Sequence, residues 1–208
     1  MNKSDKFFKF IGESRERDFD ALAAELDRRF GETSATLVLD STGFTRTTKL
    51  LGSAFYLTII SRLREVCFDT VVRFNAISSR TWADNFYAEF PSVDDAVAAA
   101  FALHRHFDEK PIPLINEQDK FGVCIGIGFG RVLRSEHEGV YGDEMNCASK
   151  LGEDVAERGE TMLTEAAFQT LSNPESFNAS KSILTIAGVQ MLIYSLRPKE
   201  DQGTLPSG

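Results

Sequence analysis

The sequence is short of cysteine and of positive charge, and it has no long apolar run. Its three cysteines, Cys67, Cys124 and Cys147, lie far apart and form no CxxC pair. An odd, sparse set excludes a disulfide-stapled scaffold and suits a reducing cytosol. No stretch approaches the roughly 20 apolar residues of a membrane-spanning helix. The most apolar piece, Ala54 to Ile60, is interrupted by Tyr56 and Thr58 and soon meets Arg62 and Arg64. The first residues, MNKSDKFFKF, lack the apolar core of a signal peptide. The expectation is a soluble cytoplasmic protein with no membrane contact. Lys and Arg number 23 against 31 Asp and Glu, a formal charge of −8. That balance argues against a nucleic-acid partner, which needs a basic field. It leaves a nucleotide substrate open, because a metal ion can supply positive charge locally. No G-x-S-x-G nucleophile motif is present. His104 and His106 stand two apart on one helix, so they do not face each other and make a poor zinc pair.

What the chain has is enough apolar material for one medium-sized domain: 208 residues, 42% hydrophobic and 26% charged. Seventeen Phe against one Trp and four Tyr point to a Phe-rich core. Phe19, Leu22, Ala23, Leu26 and Phe30 recur at helical spacing, so residues 1–33 are expected to be an N-terminal segment with one short amphipathic helix. The main domain is expected over residues 34–197, with a frayed tail over 198–208. It opens with Thr36 to Asp40, an apolar strand ending on a carboxylate, followed by the turn-like Ser41-Thr42-Gly43-Phe44-Thr45. One long helix through Leu50, Leu57, Ile60, Leu63 and Cys67 comes next. Val71 to Trp82 and Phe86 to Phe90 read as two strands joined by a turn at Ala83-Asp84-Asn85. Val93 to Phe107 is a helix with Asp94 and Asp95 in its first turn. Pro111-Ile112-Pro113 breaks the chain before a strand over Phe121 to Phe129, and Gly130 turns into Val132-Leu133. Helix Asn146 to Val155, strand Thr161 to Thr164, helix Glu165 to Leu171 and a hairpin over Ser182–Ile186 and Gln190–Leu196 complete the pattern. The order β-α-β-β-α-β predicts an α+β fold with a mixed sheet and helices on at least one face.

Two carboxylates stand out. Asp40 ends a buried strand, and Asp84 sits at the hairpin tip. Each alone is an ordinary turn or capping residue. In a β-α-β-β unit, however, the first strand pairs with the hairpin that follows its helix, which brings the two together. Carboxylates that meet repel unless cations lie between them, and a two-metal site is one such arrangement. Gly126-Ile-Gly128-Phe-Gly130 lacks the G-x-G-x-x-G spacing of a dinucleotide loop and reads as a strand needing close backbone approach. The basic group Arg46, Lys49, Arg62 and Arg64 reads as a solvated helix face.

LVLDSTGFT, RTWADNFYAEF, CIGIGFGRV and VYGDEMNCASKL, in that order, resemble the successive signatures of the class III nucleotidyl cyclase catalytic domain. The resemblance spans about residues 34–196. It implies a ferredoxin-like βαββαβ core with a mostly antiparallel sheet, and a head-to-tail homodimer with active sites at the interface. It implies two Mg²⁺ or Mn²⁺ ions on Asp40 and Asp84, helped by the carbonyl of Ser41. The turn Thr42, Gly43, Phe44 and Thr45 would cradle the β- and γ-phosphates. Asn146 and Lys150, from the other chain, would orient the ribose and stabilise the transition state; their i, i+4 spacing puts them on one helix face. The implied reaction converts a nucleoside triphosphate, ATP favoured, to a 3′,5′-cyclic nucleotide and pyrophosphate.

Four positions depart from the family pattern. Arg80 stands where a base-reading Lys is usual, and Gly139 where a second base-reading residue is usual. Ala83 replaces the hairpin Gly, and Lys150 replaces an Arg, keeping the charge but losing the planar fork. These departures motivate a second reading, a cyclase-like nucleotide-binding or regulatory module without turnover, and a third, activity only in a heterodimer.

Overall fold

Alternating apolar residues in the first long strand build the centre of the molecule. In β1 (Gly31–Ser41), Ala35, Leu37 and Leu39 point to one face of the sheet, while Thr36, Val38 and Asp40 point to the other. The computed structural model describes residues 6–14, 18–112, 121–186 and 188–199. Among them, β1 pairs antiparallel with β3 (Asn85–Phe90) on one side and β4 (Val123–Ser135) on the other. The remaining strands are β2 (Ser78–Trp82), β5 (Gly139–Tyr141), β6 (Thr161–Thr164), β7 (Phe177–Ile186) and β8 (Val189–Pro198). They form one eight-stranded sheet in the order β2-β3-β1-β4-β6-β8-β7, with β5 on β4. Among the described strands only the β4–β6 pairing is parallel. The fold is therefore α+β with a mostly antiparallel sheet, and the order β2-β3-β1-β4 is that of the expected ferredoxin-like core.

The helices are α1 (Lys6–Glu13), α2 (Phe19–Phe30), α3 (Phe44–Leu51), α4 (Ser53–Arg73), α5 (Val93–Glu109), α6 (Asp143–Lys150) and α7 (Glu165–Thr170). Helices α4, α5 and α7 pack on the face that carries Leu37 and Leu39. Ser92 starts α5 by accepting the Asp95 N–H at 3.1 Å, which satisfies a backbone donor that the first turn leaves open. Tyr56, Ile60, Leu63, Cys67 and Val71 form the inner stripe of α4, and burying each large apolar side chain contributes about 1.5–3 kcal/mol. Helix α6 packs on the opposite face over Val38 and Val132. It comes so close to β4 that a Cβ on Gly128 would fall on the Glu144 carbonyl oxygen. Glu144 then clamps the two elements, accepting the Phe129 N–H at 3.0 Å and the Thr164 hydroxyl at 2.6 Å. That is the close backbone approach expected of the Gly-rich strand.

Several sequence expectations are corrected. Residues 71–73 belong to α4, not to a strand, because Val71 extends the buried helical stripe; the helix ends at Arg73 with Phe74 as its cap, and Asn75 takes φ +63°. The long helix after residue 43 is two helices, broken at Gly52, and Leu50 and Leu57 are exposed rather than inward. Residues 123–135 run as one continuous strand through Gly130. The helix bearing Asn146 begins at Asp143 and closes in a wider π-type turn over Leu151–Val155. Among the described residues before β1 there are two helices, α1 and α2, and β1 already begins at Gly31. Phe7, Phe86, Phe90, Phe107 and Phe121 are buried, and Phe74, Phe101, Phe129, Phe168 and Phe177 pack against the core, beside a larger set of aliphatic side chains. Pro113, the tail beyond residue 199 and the side chains of Phe44 and Thr45 lie outside the described residues.

Candidate active site

The β1 strand carries Asp40 to the end of the sheet, where its side chain turns toward the α6 face. The Ser41 N–H donates to Asp40 Oδ1 at 2.8 Å. The hairpin β2–β3 is tight, with Trp82 opposite Asn85 and only Ala83 and Asp84 between them. Ala83 adopts φ +53°, a conformation costly for a residue with a Cβ. Because Leu39 pairs with Phe86, the hairpin tip lands beside Ser41. Ser41 Oγ donates to Asp84 Oδ2 at 3.4 Å and lies 2.5 Å from the buried Tyr56 hydroxyl. The sheet register thus brings Asp40, Ser41 and Asp84 to one place.

They line a cavity of about 550 Å³ with Gly43, Arg46, Asn85 and Glu153. Burial pushes the Asp40 carboxyl up to about 6, and the charges of Asp84, Glu153 and Asp154 push the same way, opposed by the Ser41 N–H. Burial also raises Glu153, with Asp154 and Asp84 adding to it against the Tyr87 hydroxyl and Lys150. The cavity therefore has more negative charge than its own groups offset. Its donors are all oxygen, which suits a hard divalent cation. Among the described residues no group of three or more His, Cys, Asp and Glu side chains is gathered as a ready metal cage. Two carboxylates and a carbonyl fit a Mg²⁺-like ion, which keeps several waters and takes its other ligands from substrate phosphate.

The Thr42–Thr45 turn is pinned rather than loose. The Thr42 N–H donates to the Gly122 carbonyl at 3.0 Å, and Thr42 Oγ1 accepts the Gly122 N–H at 3.1 Å. Gly43 takes φ +87° and starts α3, whose first turn borders the cavity at Gly43 and Arg46. Arg46 was assigned to a solvated face from sequence; its place beside the GFT turn was the signal that could have found it. Tyr56 and Glu153 gave no such signal, since each reaches the site from an element placed only by packing.

Asn146 and Lys150 do not join this cavity within one chain. Both are exposed on α6 and line a separate cavity of about 760 Å³ between α6, the start of α7 and the start of β8. Lys150 is ion-paired with Asp154. Arg80 is also elsewhere, bonded to Glu89 and close against Gly139.

Neither a family model nor a curated protein matches the sequence. Solved structures match its fold. The catalytic core of a rhodopsin-guanylyl cyclase with converted specificity, in complex with ATPαS, is 16% identical, covers 81% of this chain and 97% of its own, and superposes with a TM-score of 0.69. The guanylate cyclase domain of RhGC from Catenaria anguillulae in complex with GTP is 16% identical over 82% of this chain and 99% of its own, with a TM-score of 0.67. The adenylyl cyclase CyaB from P. aeruginosa is 16% identical over 82% and 97%, with a TM-score of 0.66. The chain thus has the fold of adenylyl and guanylyl cyclase catalytic domains, the fold that its four ordered motifs resemble.

Proposed function

We propose that the chain is a nucleotidyl cyclase domain that converts a nucleoside triphosphate, ATP first among them, to a 3′,5′-cyclic nucleotide and pyrophosphate. The observation that carries the reading is the meeting of Asp40 and Asp84 at Ser41, in a cavity short of positive charge. Asp40, Asp84 and the Ser41 carbonyl would hold Mg²⁺ or Mn²⁺. When bound, the metal supplies charge to offset the triphosphate and to lower the pKa of the attacking hydroxyl. The first turn of α3, with Arg46, faces the phosphates. The ribose 3′-oxygen forms a bond to the α-phosphorus, the bond to the β-phosphate oxygen breaks, pyrophosphate leaves, and the hydroxyl proton ends in water. Positioning and charge account for the catalysis, with no covalent step on the protein.

Asn146 and Lys150 serve a second copy of the chain in this reading. Their opening onto a different cavity from Asp40 and Asp84 supports it, because one chain alone then lacks the cation and amide that orient the ribose and stabilise the transition state. A homodimer supplies both halves twice. Among the described residues no helix is long and apolar enough to cross a membrane. The alternative, nucleotide binding without turnover, draws on the Lys150–Asp154 pair, which occupies the cation.

The test is incubation of the protein with Mn²⁺ and each of ATP, GTP, CTP and UTP, following cyclic product and pyrophosphate. Product should form and vanish with a chelator or with Asp84→Ala, while circular dichroism stays that of the folded protein. No product with any nucleotide, under conditions where nucleotide binds, leaves the binding-module reading in place of this one.

A further inference from the structure

The two positions that the resemblance assigns to base reading, Arg80 and Gly139, meet in the structure, and both are occupied by a network within the chain. Strand β2 sets Arg80 opposite Tyr87, and the guanidinium lies 4.7 Å from the centre of the Tyr87 ring. Its Nη1 donates to Glu89 Oε1 at 2.8 Å. The Glu89 side chain, near the end of β3, is 0% exposed. A second guanidinium, that of Arg134, lies 3.6 Å from Glu89 Oε2, and the Ser78 hydroxyl bonds to the same oxygen. Arg134 is fixed in turn by Glu32 and by Ser78 at 3.1 Å. A buried carboxylate is costly unless paired and hydrogen-bonded, and here two cations and a hydroxyl meet it.

Gly139 completes the arrangement. It takes φ +94°, and a Cβ built on it would fall on the Arg80 guanidinium. A side chain at position 139 and Arg80 in this pose therefore exclude each other. The Glu89 bond at Nη1 and the Tyr87 ring fix the position of the guanidinium, so a base that needs Arg80 elsewhere has to displace a charge-assisted bond to a buried carboxylate, which a neutral base edge does poorly.

We propose that Glu89 is a specificity-determining positioning residue: by holding Arg80 across Gly139 it withdraws both base-reading positions, so that the site takes adenine and guanine nucleotides with little discrimination. The proposal rests on the cyclase reading above. Selection then falls on the triphosphate and ribose, and any preference for ATP is narrow. A released Arg80 would be a donor-only fork. Such a fork matches the two adjacent acceptors of guanine, O6 and N7, better than adenine, which sets a donor beside its acceptor.

The test uses the full chain with Mn²⁺. Displacement of a ribose-labelled nucleotide by ATP and by GTP gives the binding ratio without turnover, and kcat/KM for each gives the catalytic ratio. In the wild type the two nucleotides should agree within about threefold, well under the tenfold that one good polar contact commands. Arg80→Met should change both affinities by the same factor and leave the ratio alone. Glu89→Gln should shift the ratio toward GTP by about tenfold, the scale of one bidentate base contact. A merely structural role for Glu89 would weaken both nucleotides equally. If Glu89→Gln fails to fold, Arg80→Met decides: a tenfold change in its ratio overturns the proposal and shows that Arg80 reads the base. If both nucleotides bind and only the ratio misbehaves, this inference falls alone; if neither displaces the label, the cyclase reading falls with it.

Discussion

Replacing Asp40 by Asn should stabilise the metal-free protein at neutral pH and abolish cyclic-nucleotide formation. The Asp40 carboxyl rises from an ordinary 3.8 to about 6 on folding, first through burial and then through the neighbouring charges of Asp84, Glu153 and Asp154. A carboxyl raised in the folded state costs nothing below its unfolded pKa, where it is protonated in both states. The cost grows as pH rises from about 4 and is complete above about 6. The full difference corresponds to about 3 kcal/mol, and solvent in the open cavity reduces it to about 1–2 kcal/mol. Asn removes the charge and keeps the carbonyl oxygen that accepts the Ser41 N–H. For a chain of this size that is a rise in Tm of roughly 3–6 °C at pH 7.5. At pH 4.5 only about a third of the gain should remain. Calorimetry at the two pH values, without metal, measures it. Adding Mn²⁺ should raise the wild-type Tm and leave that of Asp40→Asn unmoved, since a ligand stabilises only the state that binds it. A variant less stable than wild type at pH 7.5, or one whose gain is the same at both pH values, would refute the account of Asp40 as a charge held at a cost for a cation.

Mixing Asp40→Asn with Asn146→Ala, each inactive alone, should restore roughly a quarter of wild-type activity, because random pairing makes half the dimers mixed and each then has one intact site of two; no recovery would mean that the two residues act in the same site of one chain. Lys150→Ala should lower kcat by about 10²–10³-fold, the usual loss on removing a transition-state donor, with KM little changed in steady-state assays. Gly128→Ala should destabilise the protein by about 1–3 kcal/mol in urea unfolding, since the added methyl meets the Glu144 carbonyl rather than a side chain that can move. Burial pulls the His104 imidazole down to about 4, where its Nε2 sits 2.9 Å from Thr161 Oγ1. It adds no pH dependence above about 6.5, and stability should fall as pH drops from there toward 4. His104→Gln should flatten that fall in pH-dependent melts.

Much of the site was legible because strand pairing follows from order and period. A carboxylate ending the first strand and another at the tip of the next hairpin converge in any β-α-β-β unit, and here they meet at Ser41. The Gly-rich strand was legible for a similar reason, since a run of residues without Cβ in a buried strand marks where another backbone comes close. The boundary of α4 was not legible. Val71 and Val72 favour strands by type, and only the packing of Val71 in line with Leu63 and Cys67 makes them helical. Arg46 had a local signal in its place beside the GFT turn, but Glu153 had none, because it reaches the cavity from the turn after α6 and no local pattern reports where packing brings that turn.

By itself the sequence determined the β-α-β-β-α-β order of the main elements, the mixed sheet that this order predicts and the two carboxylates on which the proposed chemistry turns. These depend on local period and on the short reach of a hairpin. Only the tertiary structure decided the state of the remaining residues. Arg80 reads from sequence as a cation available to a substrate; in the fold it is bound by Glu89 from the neighbouring strand and lies against Gly139. Asn146 and Lys150 are expected from the resemblance to serve the other chain, and in the fold they open onto a cavity separate from that of Asp40. Charge and spacing are properties of the chain, but whether a charge is free to act depends on which partner the packing brings within hydrogen-bond distance.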